Sequence, residues 1–285
     1  MAETLRYLRR QVKLVGNIRQ ITRAMQMVAA AKLRRVQQRV VEGRVYWQRM
    51  QDIVRELAGA AQQVDHPLTT VRPVKRIGLL VVSSEKGLCG GYNAQVAREA
   101  ERFLRAQAPP VTVSLVGRKA RGALEKGGHE IAAQYTLDEK QPAEQALRIA
   151  RELRRSYEAG EVDEVHICYA RFASLSRDVP TVTRLLPVTP PASEDGEAPS
   201  GEYILEPPAA ELLGHLLPRY VDAEVYHMLL EAIASEYAAR MRAMAAATEN
   251  AEEMLGTLTM RANRLRQQEI TSQLIDIVSG AEAQR

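Results

Sequence analysis

From Glu3 to about Leu57, apolar residues recur three and four positions apart: Leu5, Leu8, Val12 and Val15, then Ile18, Ile21, Met25 and Val28, then Leu33, Val36 and Val40, and onward through Trp47, Met50, Val54 and Leu57. Alternating steps of three and four mark a coiled-coil seam. The phase slips where Val15 is followed by Ile18 and where Val28 is followed by Leu33, and such slips alter a supercoil locally without ending the helix. No proline interrupts the segment, and its glycines, Gly16 and Gly43, have no turn residues beside them. Two helices broken at one of these glycines is the alternative. At ~1.5 Å per residue one helix would run roughly 80 Å, too long for a compact domain, so it must project.

The pattern changes after His66-Pro67 and Arg72-Pro73. Ile77–Ser83, Val111–Gly117 and Val165–Tyr169 are short, apolar and β-branched, as buried strands are, and Val179–Leu186 reads as an edge strand. Helical patterns lie between them at Ala94–Gln107, Lys119–Lys126 and Pro142–Glu158. This alternation predicts a small α/β domain with a largely parallel sheet. A polar Pro/Gly-rich loop follows at Thr189–Glu202. From about Ala209 a second long helix is predicted, with Pro218 as a break or kink near its start. Its seam reads Ala251, Leu255, Leu258, Ala262, Leu265, then Ile270, Leu274 and Ile277 after one more slip. The plan is a shaft helix over residues 1–60, an α/β domain over 61–208 and a second shaft helix over 209–285. The termini of a compact domain lie close together, so the two helices are expected to pair antiparallel.

Composition adds an asymmetry. The chain carries a net +4, but residues 1–50 alone carry +10. A basic end implies an acidic partner: nucleic acid, an anionic membrane, or an acidic protein surface. No apolar run approaches the roughly 18 residues of a membrane span, and MAETLRYLRR resembles neither a secretory signal nor a transit peptide. Cys89 and Cys168 lack metal-ligand spacing and read as buried small hydrophobes in a reducing compartment.

The stretch SSEKGLCGGYN (Ser83–Asn93) follows a strand and precedes a helix, where a phosphate loop would sit. It has neither the G-x-x-x-x-G-K-[ST] spacing nor the dinucleotide G-x-G-x-x-G. Gly87, Gly90 and Gly91 are therefore read as turn glycines, with Asn93 or a neighbour capping the helix. The five histidines form no metal-binding pair, and no nucleophile or acid/base constellation stands out. No catalytic, cofactor or metal site is predicted.

Three stretches together carry a resemblance: ITRAMQMVAAAKLRR (Ile21–Arg35), SSEKGLCGGYN, and ENAEEMLGTLTMRANRLRQQEITSQLIDIVSGAEA (Glu249–Ala283). They resemble, in order, the signature regions of the ATP synthase γ-subunit family, and the helix–α/β–helix plan matches too. The resemblance implies a single-copy rotor shaft seated in an α3β3 hexamer, with the α/β domain near an ε subunit and a membrane c-ring. Proton flow would turn the ring and shaft and drive the β subunits through their states, with ATP chemistry at the α/β interfaces and none in this chain. It implies attachment to the membrane only through the ion-conducting sector, at the cytoplasmic face of a bacterial plasma membrane. Arg23, Met25, Lys32, Arg34 and Arg35 match positions facing the acidic lever of β, while Gln20 and Gln26 stand where relatives often carry Lys and thin that charge ring. Arg266, Gln267 and Thr271 match positions that hydrogen-bond a loop of β. The cysteine-bearing insertion of the chloroplast form has no counterpart here. Two rival classes are a nucleic-acid-binding coiled coil using the basic helix, and a dinucleotide-dependent α/β enzyme. The first lacks interleaved aromatics before Tyr46-Trp47, and the second lacks the phosphate fingerprint.

Overall fold

The computed structural model describes residues 4–60, 66–137, 141–189, 206 and 208–282. The chain divides into two compact units, one formed by Met1–Ala29 with Met241–Arg285 and the other by Ala30–Arg240. Two long helices, α1 (Leu5–Ala60) and α5 (Ala209–Glu282), contribute to both.

In the first unit the two helices run antiparallel. Thr248 Oγ1 meets Thr22 Oγ1 at 2.8 Å, and Arg19 lies 3.9 Å from Glu252. On α1 the covered positions are Leu5, Leu8, Val12, Val15, Arg19, Thr22, Gln26 and Ala29, all buried or half-buried. The step of three and four never breaks there, so the expected slip after Val15 is absent. Ile18, Ile21 and Val28 instead face outward, at 45, 60 and 56 % exposure. The sequence pattern had merged two faces of one helix: a polar-centred seam and an apolar stripe beside it. On α5 the seam through Ala251, Leu255, Leu258, Ala262 and Leu265 is as expected. Beyond Leu265 the described part of α1 has ended, and Ile270, Leu274 and Ile277 are exposed. No slipped seam continues there, because no partner helix remains to receive it.

The second unit holds a five-stranded sheet in the order β3-β2-β1-β4-β5. Its strands are β1 (Ile77–Val82), β2 (Val111–Val116), β3 (Ile131–Tyr135), β4 (Glu164–Phe172) and β5 (Asp178–Leu186). The first four pair in parallel, and β5 returns antiparallel as the edge. Every residue of β1 is buried, as expected for a central parallel strand covered on both faces. The helices α2 (Tyr92–Ala106), α3 (Arg121–Lys126) and α4 (Pro142–Glu158) lie close to their expected ranges. Leu79, Val81, Val96, Ala100, Val113 and Leu115 belong to the core cluster beneath α2. Strand β3 was not expected. Its sequence IAAQY has one β-branched residue and alternates half-buried with exposed positions, which leaves little strand signal. Pro218 lies inside α5 without ending it. The missing N–H forfeits the bond to the carbonyl of Gly214.

The same three-and-four spacing covers α1 in this unit, through Leu33, Val36, Val40, Gly43, Trp47, Met50, Val54 and Leu57. Specific polar contacts hold it to α5. Lys32 Nζ donates to Tyr237 Oη at 3.0 Å, and Trp47 Nε1 donates to Glu224 Oε1 at 3.0 Å. Arg154 of α4 pairs with Asp222 of α5 at 3.0 Å.

Candidate functional site

The stretch after β1 is a joint between the sheet and α5. Ser83, at the end of the strand, is buried; its N–H and Oγ both donate to the Val116 carbonyl. The Ser84 N–H donates to Asn93 Oδ1, Asn93 Nδ2 donates to Ser84 Oγ at 2.8 Å and to Cys89 Sγ, and Ser84 Oγ donates to the Lys86 carbonyl. Asn93 therefore ties the two ends of the loop together. It does not cap α2, whose N-cap is Gly91 with no side-chain hydrogen bond.

Of the three glycines, Gly90 takes a left-handed φ of 59°, and Leu88 joins it at 64°. Gly91 has an ordinary φ of −82°, and Gly87 is not among the left-handed residues. The glycine that sterics demand lies elsewhere. Gly117 has a φ of +79°, and a Cβ there would run into the Ser83 carbonyl.

The loop closes on α5. Arg240 Nη2 donates to the carbonyls of Lys86 and Gly87 at 3.1 and 3.2 Å, and its Nη1 pairs with Glu236 Oε1 at 2.7 Å. Tyr92 Oη donates to the Ala232 carbonyl at 3.2 Å. Burial pushes the Tyr92 phenol far above its usual range, so it stays a donor. Arg240 was not anticipated. The signal available was one charged pair, Glu236 and Arg240, four residues apart at the end of the alanine-rich run Ala232–Ala239, where a solvated face would carry more polar residues.

Several amides on either side of the loop are committed internally. The N–H of Tyr92 bonds the Cys89 carbonyl, that of Gln95 bonds Gly91, and those of Arg118 and Lys119 both bond Ser84. Among the described residues, no group of three or more His, Cys, Asp or Glu could hold a metal ion.

The other sequence-derived residues lie on α1 and α5. In the first unit Arg23 is exposed and Met25 half-buried, while Arg266, Gln267 and Thr271 are exposed just beyond the last seam position, Leu265. Counting along α5 from the Thr22–Thr248 contact, about 18 residues, roughly 27 Å, separate these two groups. They are two surfaces and not one site. In the second unit Arg34 and Arg35 are exposed, but Lys32 is half-buried and turned onto the Tyr237 ring, 5.2 Å from its centroid. The first unit also exposes apolar side chains beside these residues: Leu14, Ile18, Ile21 and Val28 on α1, and Leu274, Ile275, Ile277 and Val278 on α5. Contiguous exposed apolar surface of this kind marks an interaction face.

An α/β sheet joined by sequence to an antiparallel helix pair with outward apolar stripes is the class of fold that these elements define. A family model described as ATP synthase matches residues 4–284. The ATP synthase gamma chain of Pelotomaculum thermopropionicum is 42 % identical over 281 residues, covering 98 % of this chain and 99 % of the relative. That of Desulforudis audaxviator is 43 % identical over 291 residues, covering 98 % of each. The chain belongs to this family, the gamma chains of ATP synthase. Among solved structures, one from the central stalk and c-ring of the Tetrahymena thermophila mitochondrial ATP synthase is similar at 25 % identity and a TM-score of 0.59, covering 80 % of this chain and 99 % of that one. A chain of the Euglena gracilis mitochondrial enzyme shares the fold at 19 % identity and a TM-score of 0.68, covering 98 % of this chain and 94 % of that one. No helix among the described residues is long and apolar enough to cross a membrane.

Proposed function

We propose that this chain is the non-catalytic central shaft of a rotary ATP synthase, present once per complex and turning inside a hexamer of three α and three β subunits. The observation that carries this reading is the end of α5, where Leu274, Ile275, Ile277 and Val278 are each more than half exposed on a bare helix. A lone helix end with that surface requires a sleeve. The outward stripe of α1 and the basic side chains of Arg23, Arg34 and Arg35 extend the same requirement: apolar contact for a bearing, and charge for an acidic lever on β.

In this mechanism the chain makes and breaks no bonds in ATP. The Arg240 clamp ties the sheet to α5, so a load applied to the α/β domain reaches α5 through hydrogen bonds and an ion pair as well as through the chain. Arg23, Met25, Lys32, Arg34 and Arg35 meet the β lever, with Lys32 leaving Tyr237 to do so. Arg266, Gln267 and Thr271 meet a loop of β. The α/β domain binds the ε subunit and the c-ring, which places the chain peripherally at the cytoplasmic face of a bacterial plasma membrane. Exposed ion pairs contribute only ~0–1 kcal/mol each, so torque is shared among many such contacts.

Native mass spectrometry of the chain mixed with the matching α and β subunits tests the reading. One copy bound to three α and three β is expected. A chain that stays alone, or that captures RNA, would overturn it and return the basic helix to nucleic-acid binding.

A further inference from the structure

The helix pair of the first unit is not uniform along its length. Toward the chain ends its seam is apolar, with Leu5, Leu8, Val12 and Val15 on α1 and Leu255, Leu258, Ala262 and Leu265 on α5. The next three seam positions of α1 are polar: Arg19, Thr22 and Gln26. Parting an apolar layer returns buried area to water, whereas a polar layer loses little by the same motion.

The Thr22–Thr248 contact breaks without stranding either hydroxyl. Thr248 Oγ1 lies 2.8 Å from Thr22 Oγ1 and 2.8 Å from the Met244 carbonyl of its own helix, while Thr22 Oγ1 lies 3.1 Å from the Arg19 carbonyl of its own. Each hydroxyl has one proton to donate. With the helices joined, one hydroxyl donates across and the other to its own carbonyl; with them parted, each donates to its own carbonyl. The penalty for an unpaired buried donor, which keeps other hydrogen bonds between helices closed, does not arise here. The adjacent Arg19–Glu252 pair spans 3.9 Å with side chains 41 and 51 % exposed, so it adds little.

A glycine in each helix lies beside these layers. Antiparallel counting from the Thr22–Thr248 contact puts Gly16 and Gly256 within about two residues of the same height, roughly 3 Å along the axis. A Cβ on either would meet nothing within 4 Å, so neither glycine is there to admit a neighbour. What a glycine does bring to a helix interior is a backbone that yields more readily than one of alanine. Thr22, Thr248 and Thr257 also bond carbonyls three or four residues back in their own helices, a pattern that bends helices.

We propose that residues 14–26 of α1 and 244–257 of α5 form a flexure, where the two helices bend and part at low cost while each stays helical. Ala245, Ala246 and Ala247, of the residue type with the strongest helix preference, keep α5 intact there. Only the use of the flexure rests on the shaft reading: it lets the shaft bend as it passes from one β subunit to the next.

Hydrogen–deuterium exchange of the full chain, followed by mass spectrometry, reads the flexure directly. Amides of residues 14–26 and 244–257 should exchange at least about tenfold faster than those of residues 30–38. Gly16→Ala with Gly256→Ala, which the open space accommodates, should slow that exchange about tenfold and leave residues 30–38 unchanged. Thr22→Val with Thr248→Val should slow it as well, because parting then exposes two apolar side chains. In a complex assembled with the matching α and β subunits, the alanine pair should lower ATP hydrolysis at least about threefold at unchanged stoichiometry. Exchange no faster at 14–26 than at 30–38, an alanine pair that leaves it unchanged, or a valine pair that speeds it would each overturn the flexure. An assembled alanine variant that turns over at the parent rate would overturn its use in rotation. A parent chain that fails to assemble would overturn the shaft reading instead, and the exchange results stand without it.

Discussion

Arg240 is the side chain whose loss should cost the second unit most for its size. Its side chain is 11 % exposed and that of its partner Glu236 only 6 %, with 2.7 Å between them. Replacing Arg240 by Met keeps much of the apolar stem but strands a buried carboxylate and leaves the Lys86 and Gly87 carbonyls without their donor. Breaking a buried pair on one side costs about 3–5 kcal/mol, mostly the penalty of the charge left behind. For a unit of roughly 200 residues each kcal/mol lowers the melting temperature by about 2–4 °C, so Arg240→Met should lose roughly 6–20 °C. Removing both charges, as Arg240→Met with Glu236→Leu, should recover most of that loss, because a buried pair and a well-packed apolar pair are close in stability. Differential scanning calorimetry of the isolated chain measures all three. A single variant within about 1 kcal/mol of the parent would show that water already solvates this pair. A double variant as unstable as the single one would show that the loop carbonyls, and not Glu236, carry the cost.

Gly117→Ala should destabilise by about 3 kcal/mol or more, because the left-handed φ and the Ser83 backbone both resist a Cβ, whereas Gly256→Ala, helical with open space around it, should stabilise by about 1 kcal/mol; urea midpoints distinguish the two. Burial raises the Glu224 carboxyl above its ordinary value of 4.5, so the folded chain holds that proton more tightly than the unfolded one. Its contribution to stability is therefore fullest below 4.5 and is lost as pH rises through the folded value, and Glu224→Gln should gain on the parent in melts between pH 5 and pH 8. Cys89 and Cys168 are free and buried, with burial pushing Cys89 up and Cys168 up to about 12, so neither should react with a thiol reagent in the native state and dithiothreitol should leave ATPase activity of the assembled complex unchanged. In that complex Arg266→Ala should weaken assembly or coupled ATPase activity more than Arg39→Ala, and equal, negligible losses would remove Arg266 from the proposed β contact.

The long helices and the parallel strands were legible because burial leaves a period behind it. The phase slips have one physical origin. Ile18, Ile21 and Val28 are as apolar as Leu8 and Leu33, and apolarity does not say whether a residue is covered by its own chain or by another. Reading all of them into one seam produced the phase slips, whereas the actual seam passes through Arg19, Thr22 and Gln26. Strand β3 was lost for the opposite reason: edge-side positions such as Ala132 and Gln134 need no hydrophobicity. Asn93 had the right residue type for a cap, yet its amide finds Ser84 and Cys89 first. Beyond its pairing with Glu236, Arg240 left little signal, because its other two partners are main-chain carbonyls, which any sequence can supply.

The loop after β1 shows why the chain resembles a nucleotide-binding fold without carrying its fingerprint. A phosphate loop turns backbone N–H groups toward an anion. Here the Lys86 and Gly87 carbonyls point at a buried cation, and the amides of Ser84, Tyr92, Gln95, Arg118 and Lys119 are already bonded within the chain. Glu236 adds negative charge beside Arg240, and Glu85 is held by Arg118 and by the Leu137 N–H. An anion entering this crevice would meet carbonyls and carboxylates. The α5 segment from Ala232 to Arg240 takes the place a ligand would occupy, touching Tyr92 at one end and the loop at the other. A small ligand at a strand end can leave; a helix covalently continuous with the chain cannot. The geometry that elsewhere grips a nucleotide for one turnover is used here to grip a helix permanently, which is what a part that transmits load requires.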